Sequence, residues 1–569
     1  MRNQVKKILG DTLARCQKEG KLAVPSVSSY TLERPKVADH GDYAANIAFE
    51  LSKLLKQPPL KIAQTLVGNL VDPAGLIKSI TVAGSGFINI TLTDQAWQSS
   101  LLDIDKAGGK WAHFEEGKGK KVNIEFVSGN PTGPLHIGNA RGGPLGDVIA
   151  SLLERNGYQV TREYYVNDVG GQVEQLGQSI LIRCQRKSQS PSAPEVPSKA
   201  GYSGPYIEEL AEKATQKLKK IDFGDPQSAR SVGQFGVDTL LAEVRDDLEV
   251  MGIHFDVWTH EKTILVGKKT EKVIEALKKK GATIEKEGAL WFVPPEGIFS
   301  SSEDRESVLV RSSGQPTYFA NDIAYHADKF DRGFDLLIDV WGSNHHGHAP
   351  RLKAALGTLG YDPSRLEVLL YQYVRVKRGS DLVKMSKRAG DFVIARDILD
   401  EVGRDAFRFF LLMRSGPSHM DFDLDLAKRQ SSENPVFYVQ YAHARICSIQ
   451  SKAEEKGLKP QNRPEQLVLP EEIFLIRTLH EYPHELSLAI REKAPHRITY
   501  YLISLSQQLQ SYYAKAKEDS RYHLLSQNVD FASAKLYLLG HVRRVLKDGL
   551  NLLGVSAPER MDSNKGELE

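Results

Sequence analysis

Residues 120–143, KKVNIEFVSGNPTGPLHIGNARGG, concentrate side chains suited to phosphate chemistry. His136 and Asn139 stand three apart, so on a helix they share one face, a turn from its positive end. Gly138 lies between them without a side chain, so a flat ring or a phosphate can approach the backbone there. A glycine-containing loop that opens a helix is a site for a nucleotide triphosphate. Alone, His136 is equally a histidine that merely satisfies a helix N-terminus. A second group is Lys384-Met385-Ser386-Lys387-Arg388. Its two lysines can stabilise negative charge that grows on a departing pyrophosphate, although an isolated KMSKR also reads as a solvated basic loop. A third is His345, His346 and His348. Adjacent histidines rarely reach one ion, and no neighbouring cysteine or carboxylate completes a ligand set, so no metal site is expected there.

Positioning these groups requires an α/β framework. Val122, Ile124 and Phe126 alternate with Lys121, Asn123 and Glu125, which predicts a strand. Ser128-Gly129-Asn130-Pro131 breaks it, Thr132-Gly133-Pro134 turns, and a helix is expected from residue 136 to about 155. A strand over residues 158–165 leads to the phrase VNDVGGQ, and FDVWTHE (residues 255–261) returns to the sheet. Residues 289–293 and 308–311 read as strands, and a helix begins near Thr317. Leu336-Leu337-Ile338-Asp339-Val340-Trp341-Gly342 reads as a buried parallel strand. Ligands of open α/β sheets sit at the carboxyl ends of strands, so the histidines after it should face the crevice of His136. KMSKR follows a strand over residues 371–376.

The segment around His136 resembles the HIGH signature of class I aminoacyl-tRNA synthetases, and GNPTGPLHIGNARG most resembles the arginyl family. Asn139 stands where that signature has a second histidine; an amide donates and accepts hydrogen bonds but carries no positive charge. KMSKR resembles the family's second signature, KMSKS, with Arg388 in the last place, and VNDVGGQ resembles a family phrase beside the active site. The resemblance implies catalysis by His136, Asn139, Lys384 and Lys387. It also implies ATP binding by Gly133, His136, Gly138, Asn139, His345, His348, Lys384, Met385, Ser386 and Lys387, with Mg²⁺ on the phosphates. His345, His346 and His348 are not ranked by it.

A pocket for arginine must hold a planar, permanently charged guanidinium with five donors. Asp322, with Tyr318 one helical turn before it, and Glu261 are the carboxylate candidates. The resemblance assigns these three to the guanidinium and Ser128, Asn130 and Asn344 to the α-amino end, with Glu125 a further candidate. Alone, Asp322 could cap a helix and Glu261 could be a surface charge.

Residues 1–115 read as an α+β domain. Val5, Ile8, Leu9, Leu13 and Cys16 form one helical face, and a second helix is expected over residues 43–55. HGDYAANIAFELSK resembles the arginyl family's N-terminal domain, which implies contact with tRNA; Phe87 and Asn89 could stack on and hydrogen-bond a looped-out base, or Phe87 could be core. Residues 116–400 are expected to form a Rossmann-like catalytic domain. It has a Ser/Pro-rich stretch at 186–205 and an insertion at about 180–250. From residue 401 the pattern is helical. NPVFYVQYAHAR resembles the family's anticodon-binding bundle, with Tyr438, Tyr441 and Arg445 on one face, suited to unstacked bases.

Over 569 residues the net charge is +3, which permits an RNA partner without demanding one. Three scattered cysteines argue against a disulfide framework and for a reducing compartment. No apolar run reaches the roughly 18 residues of a membrane span, and residues 1–22 are no signal peptide. The resemblance covers essentially the whole chain. It implies a cytoplasmic, monomeric enzyme that joins L-arginine to tRNA(Arg) at the expense of ATP. A small-molecule nucleotidyltransferase would not need the helical domain. An inactive RNA-binding paralogue could lose the lysines.

Overall fold

The computed structural model describes residues 1–23, 30–35, 37–188, 201–218, 221–223, 225–294, 307–383 and 393–561. They divide into two compact units.

One unit comprises residues 1–111, 445–484 and 504–545. Its sheet joins β1 (Leu32–Glu33), β2 (Tyr43–Ala45), β3 (Ile77–Ala83) and β4 (Phe87–Leu92) in the order β1-β2-β4-β3, all antiparallel. The helix expected from residue 43 begins only at Ile47, because Tyr43 and Ala45 are buried and pair with Ile90 and Ile88 across β4. Asp42, just before β2, binds the unit together. Its Oδ2 accepts from the Leu92 N–H at 2.7 Å and the Trp97 indole at 3.3 Å, and Oδ1 pairs with Arg477 at 3.1 Å.

The other unit comprises residues 112–444, 485–503 and 546–569. At its centre are β5 (Lys121–Phe126), β6 (Gln159–Val166) and β7 (Val257–His260), flanked in the chain by a small antiparallel sheet of β8 (Thr283–Lys286), β9 (Ala289–Phe292) and β10 (Ser307–Val310). The strands expected at 289–293 and 308–311 therefore lie outside the main sheet. The main sheet is completed by β11 (Leu336–Gly342) and β12 (Leu366–Tyr371), in the order β12-β11-β5-β6-β7, every pairing parallel. The chain runs outward in one direction through β6 and β7 and in the other through β12. The order thus reverses between β5 and β11, and ligands of such sheets bind at that reversal.

Helical conformation spans Ile137–Ala140 and Gly142–Arg155, interrupted at Arg141. Arg141 is buried and donates to the carbonyls of Gln372, Ser415 and Ser418 at 2.7–3.0 Å. Gly146 lets this helix lie directly on β5: a Cβ there would come within 2.2 Å of the Phe126 ring. The stretch expected as an insertion at about 180–250 is helical over most of its described residues. Helices Gly171–Ser188, Pro205–Lys217 and Pro226–Val250 share a core that includes Leu176, Ile180, Ile207, Leu210, Val237 and Leu240. Beyond residue 401, among the described residues, one strand interrupts the helices. β13 (Val374–Arg378) pairs with β14 (Asp381–Leu382) and, in parallel, with β15 (Met420–Asp423).

Candidate active site

His136 is the cap of the helix Ile137–Ala140: its backbone is extended, and its Nδ1 accepts from the Asn139 N–H at 3.3 Å. A Cβ on Gly138 would stand 3.0 Å from the His136 ring, so the glycine keeps the imidazole's place open. Around these residues lies a cavity of about 210 Å³, lined by Gly129, Asn130, Gly133, His136, Asn139 and Tyr164, and by Tyr202 and Tyr206 of the insertion. Tyr206 donates to the Thr132 carbonyl at 3.3 Å. Nothing in the sequence pattern singled out these two tyrosines.

The turn after β5 is strained. Val127 and Ser128 have φ of 66° and 39°, a region that a β-branched residue rarely adopts. The turn aims the Ser128 hydroxyl at Glu125, to which it donates at 2.9 Å while accepting from the Tyr165 N–H at 3.1 Å. Asn130 is exposed, and its amide donates to Gln172 at 3.0 Å.

Glu261 follows β7 and is 1% exposed. Its Oε1 accepts from Asn321 at 2.6 Å, whereas Oε2 is buried with no hydrogen-bond partner among the described residues. Burial first, then the Asp322 charge, pushes its carboxyl up to about 7. Asp322 and Tyr318 stand on the helix Tyr318–Asp331, whose cap is the Thr317 hydroxyl, so Asp322 is not the capping residue. Asp322 Oδ2 meets His348 Nε2 at 2.8 Å, which brings the loop after β11 to the helix. Tyr318 is 41% exposed. Asn344, His345 and His346 are exposed, and the His345 and His348 rings lie 6.0 and 5.7 Å from Trp341.

Beneath this edge the sheet and helix are joined by buried charge. Lys329 is fully buried and donates to Glu125 at 2.5 Å and Asp339 at 2.9 Å; His326 Nε2 meets Asp339 at 2.7 Å. Burial alone would lower the Lys329 ammonium, but Asp339 and Glu125 raise it. Burial raises the Glu125 carboxyl despite Lys329. Glu125, His326 and Asp339 lie close enough to hold a metal ion, but the ammonium occupies that role. Glu163 accepts from Asn123, Thr259, Tyr325 and Arg332. Asp339 in the apolar run LLIDVW was the sequence signal for this network, since a carboxylate in a buried strand requires a cation.

Lys384, Met385, Ser386, Lys387 and Arg388 lie outside the described residues. Of their neighbours, Val393 accepts from the Ile137 N–H at 3.0 Å and Ala395 donates to the Leu135 carbonyl at 2.8 Å, so the chain after them is paired to the His136 segment.

Residues 103–411 match the catalytic domain of class I (R) tRNA synthetases, residues 3–92 the arginyl tRNA synthetase N terminal domain, and residues 439–561 the DALR anticodon binding domain. The chain is 42% identical over 569 residues to the arginine–tRNA ligase of Syntrophotalea carbinolica, covering 99% of this chain and 100% of that protein. It is 43% identical over 566 residues to the arginine–tRNA ligase of Geobacter sp. strain M21, again over 99% and 100%. The chain belongs to the arginyl-tRNA synthetase family. Its fold is also that of the Thermus thermophilus arginyl-tRNA synthetase, with a TM-score of 0.76 at 22% identity over 99% of this chain and 100% of that one.

The residues that the arginyl-tRNA synthetase resemblance directs to RNA are differently exposed. Phe87 is 45% exposed, its ring 4.8 Å from Phe49. Asn89 is buried in β4, where the sheet packing leaves its side chain little access to a base. Tyr438, Tyr441 and Arg445 are half-buried on the helix Pro435–Glu455. Tyr441 is stacked on Phe437 with ring centres 6.2 Å apart. The Arg445 guanidinium donates to Gln510 at 3.0 Å and lies over the Tyr513 ring.

Proposed function

We infer that the chain is an arginine–tRNA ligase, a class I synthetase that activates L-arginine with ATP and transfers it to the terminal adenosine of tRNA(Arg). One observation supports the choice of amino acid above others. Glu261, with a buried oxygen that has no hydrogen-bond partner among the described residues, and the helix bearing Asp322 and Tyr318 meet at the same sheet edge as His136 and Asn139. A buried carboxylate without a cation is costly, and a guanidinium supplies both charge and donors.

In the first step an arginine carboxylate oxygen attacks the α-phosphorus of ATP. The bond to the bridging oxygen breaks, and pyrophosphate leaves. In the second, the 2′-hydroxyl of the terminal adenosine attacks the arginyl carbonyl, and AMP leaves. No side chain becomes covalent; positioning and electrostatic stabilisation suffice. Glu261, Asp322 and Tyr318 hold the guanidinium, and Ser128, Asn130 and Asn344 the α-amino end. Gly133, His136, Gly138, Asn139, His345 and His348 face ATP. Lys384 and Lys387, within Lys384-Met385-Ser386-Lys387, take the pyrophosphate charge; the pairing of Val393 with Ile137 favours their acting at that end. Mg²⁺ arrives on the ATP phosphates as part of the substrate. Residues 1–115 and 401–569 serve tRNA, with Phe87, Tyr438, Tyr441 and Arg445 as contacts, and residues 116–400 form the catalytic domain. The enzyme works as a monomer in the cytoplasm; no described helix is long and apolar enough to cross a membrane.

ATP–pyrophosphate exchange with each of the twenty amino acids, with and without total tRNA, tests this reading. Arginine alone should support exchange. Exchange driven by another amino acid, or by a small molecule without RNA, would replace it.

A further inference from the structure

Consecutive side chains of β6 leave opposite faces of the sheet. Tyr164 turns towards His136, where its hydroxyl donates to the Gly129 carbonyl at 2.9 Å. Tyr165 turns to the other face, and its ring lies 4.4 Å from that of Tyr325 on the helix Tyr318–Asp331. Tyr325 follows Asn321 by four residues and Asp322 by three, so Tyr165 is packed one turn from both. The Tyr165 hydroxyl is buried and, among the described residues, has no hydrogen-bond partner; the same holds for Oε2 of Glu261. Buried polar atoms without partners are rare in folded proteins, and each calls for a physical reason. After burial itself, the charges of Glu261 and Asp322 act most strongly on this hydroxyl and raise it far above a free phenol, so it keeps its proton.

Two carboxylates do not cover a guanidinium's five donors here. Glu261 already uses Oε1 for Asn321, and Asp322 uses Oδ2 for His348. A neutral phenol can accept a further N–H without adding charge. We propose that Tyr165 is a further specificity-determining residue, its hydroxyl accepting a hydrogen bond from a guanidinium N–H that Glu261 and Asp322 leave uncovered. This rests on the assignment of those two carboxylates to arginine.

Tyr165→Phe keeps the ring on Tyr325 and deletes only the hydroxyl. In ATP–pyrophosphate exchange, arginine kcat/KM should fall roughly 10- to 100-fold, the range for one hydrogen bond to a charged group. The KM for ATP and the melting temperature should stay at wild-type values. Glu261→Gln is measured in parallel. Should Glu261→Gln lose arginine efficiency while Tyr165→Phe does not, the Tyr165 inference is overturned and the pocket stands. Should neither variant change, the pocket assignment itself fails and the inference with it. Equal losses towards ATP and arginine in Tyr165→Phe mean a structural role only and also overturn it. Tyr165→His restores an acceptor and should recover part of the arginine efficiency. A variant no better than Tyr165→Phe counts against the hydrogen bond.

Discussion

Glu261 combines a buried oxygen, without a hydrogen-bond partner among the described residues, with a displaced titration. Its carboxyl is pushed up to about 7 by burial and by Asp322, against an ordinary value near 4.5 in the unfolded chain. Between these values the native protein holds a proton that the unfolded chain has lost. This group's contribution to stability therefore falls as pH rises from about 4.5 to 7. A guanidinium reverses the balance, because the ionised carboxylate is the form it binds. Arginine binding near pH 6 should release a proton, visible as a dependence of calorimetric heat on the buffer's ionisation enthalpy, and that dependence should vanish by about pH 8.5. Binding heat independent of buffer at both values would remove Glu261 from the pocket. Asp322→Asn retains shape and deletes charge. It should reduce arginine kcat/KM by roughly 10²–10³-fold, since underpairing a buried cation costs about 3–5 kcal/mol. The KM for ATP should not move. Wild-type arginine kinetics in a folded Asp322→Asn protein would end the assignment.

At the scale of elements, the helix Tyr318–Asp331 is the part whose placement matters most. It carries Tyr318 and Asp322 at one end and Lys329 at the other. Lys329 anchors it to β5 through Glu125 and to β11 through Asp339, the two strands between which the sheet order reverses. The buried ammonium thus ties the helix that carries the proposed arginine contacts to the sheet. Lys329→Met removes the cation and leaves two buried carboxylates facing each other. A loss of about 3–5 kcal/mol in stability is expected, read as an early melting of the catalytic unit. Part of it should return on acidification to about pH 5, when those carboxylates take up protons. An unchanged melting profile at neutral pH would show that the network does not hold the helix.

For the whole molecule, the partner is a polyanion, and a chain of net charge +3 must place its positive groups locally. Binding of tRNA should weaken linearly in log Kd against log salt concentration. Tyr441, half-buried and stacked on Phe437, is the sharper test. Tyr441→Ala should weaken tRNA binding by about 1–3 kcal/mol if the ring stacks on a base, with arginine-dependent pyrophosphate exchange intact. Early melting with normal binding once folded would make Tyr441 a core residue instead.

Local patterns alone were enough for the parts of this protein governed by short-range physics. The alternation in residues 121–126, the helix start at His136 and the apolar run of β11 each follow from nearest-neighbour geometry, and the signature residues named the chemistry. The same patterns led to a helix drawn too early at residue 43 and to strands 289–293 and 308–311 read without their separate sheet, because strand partners lie far away in the chain. The strand Met420–Asp423 went unread inside a helical stretch for the same reason: its partner is β13. Only the tertiary structure decided which polar residues are buried. Lys329 and Glu163 look like surface charges in a linear reading, and Tyr165 like one more aromatic in a strand. Burial depends on contacts between residues more than a hundred positions apart, as between Glu125 and Lys329. Desolvation turns those contacts into the energies that position a pocket.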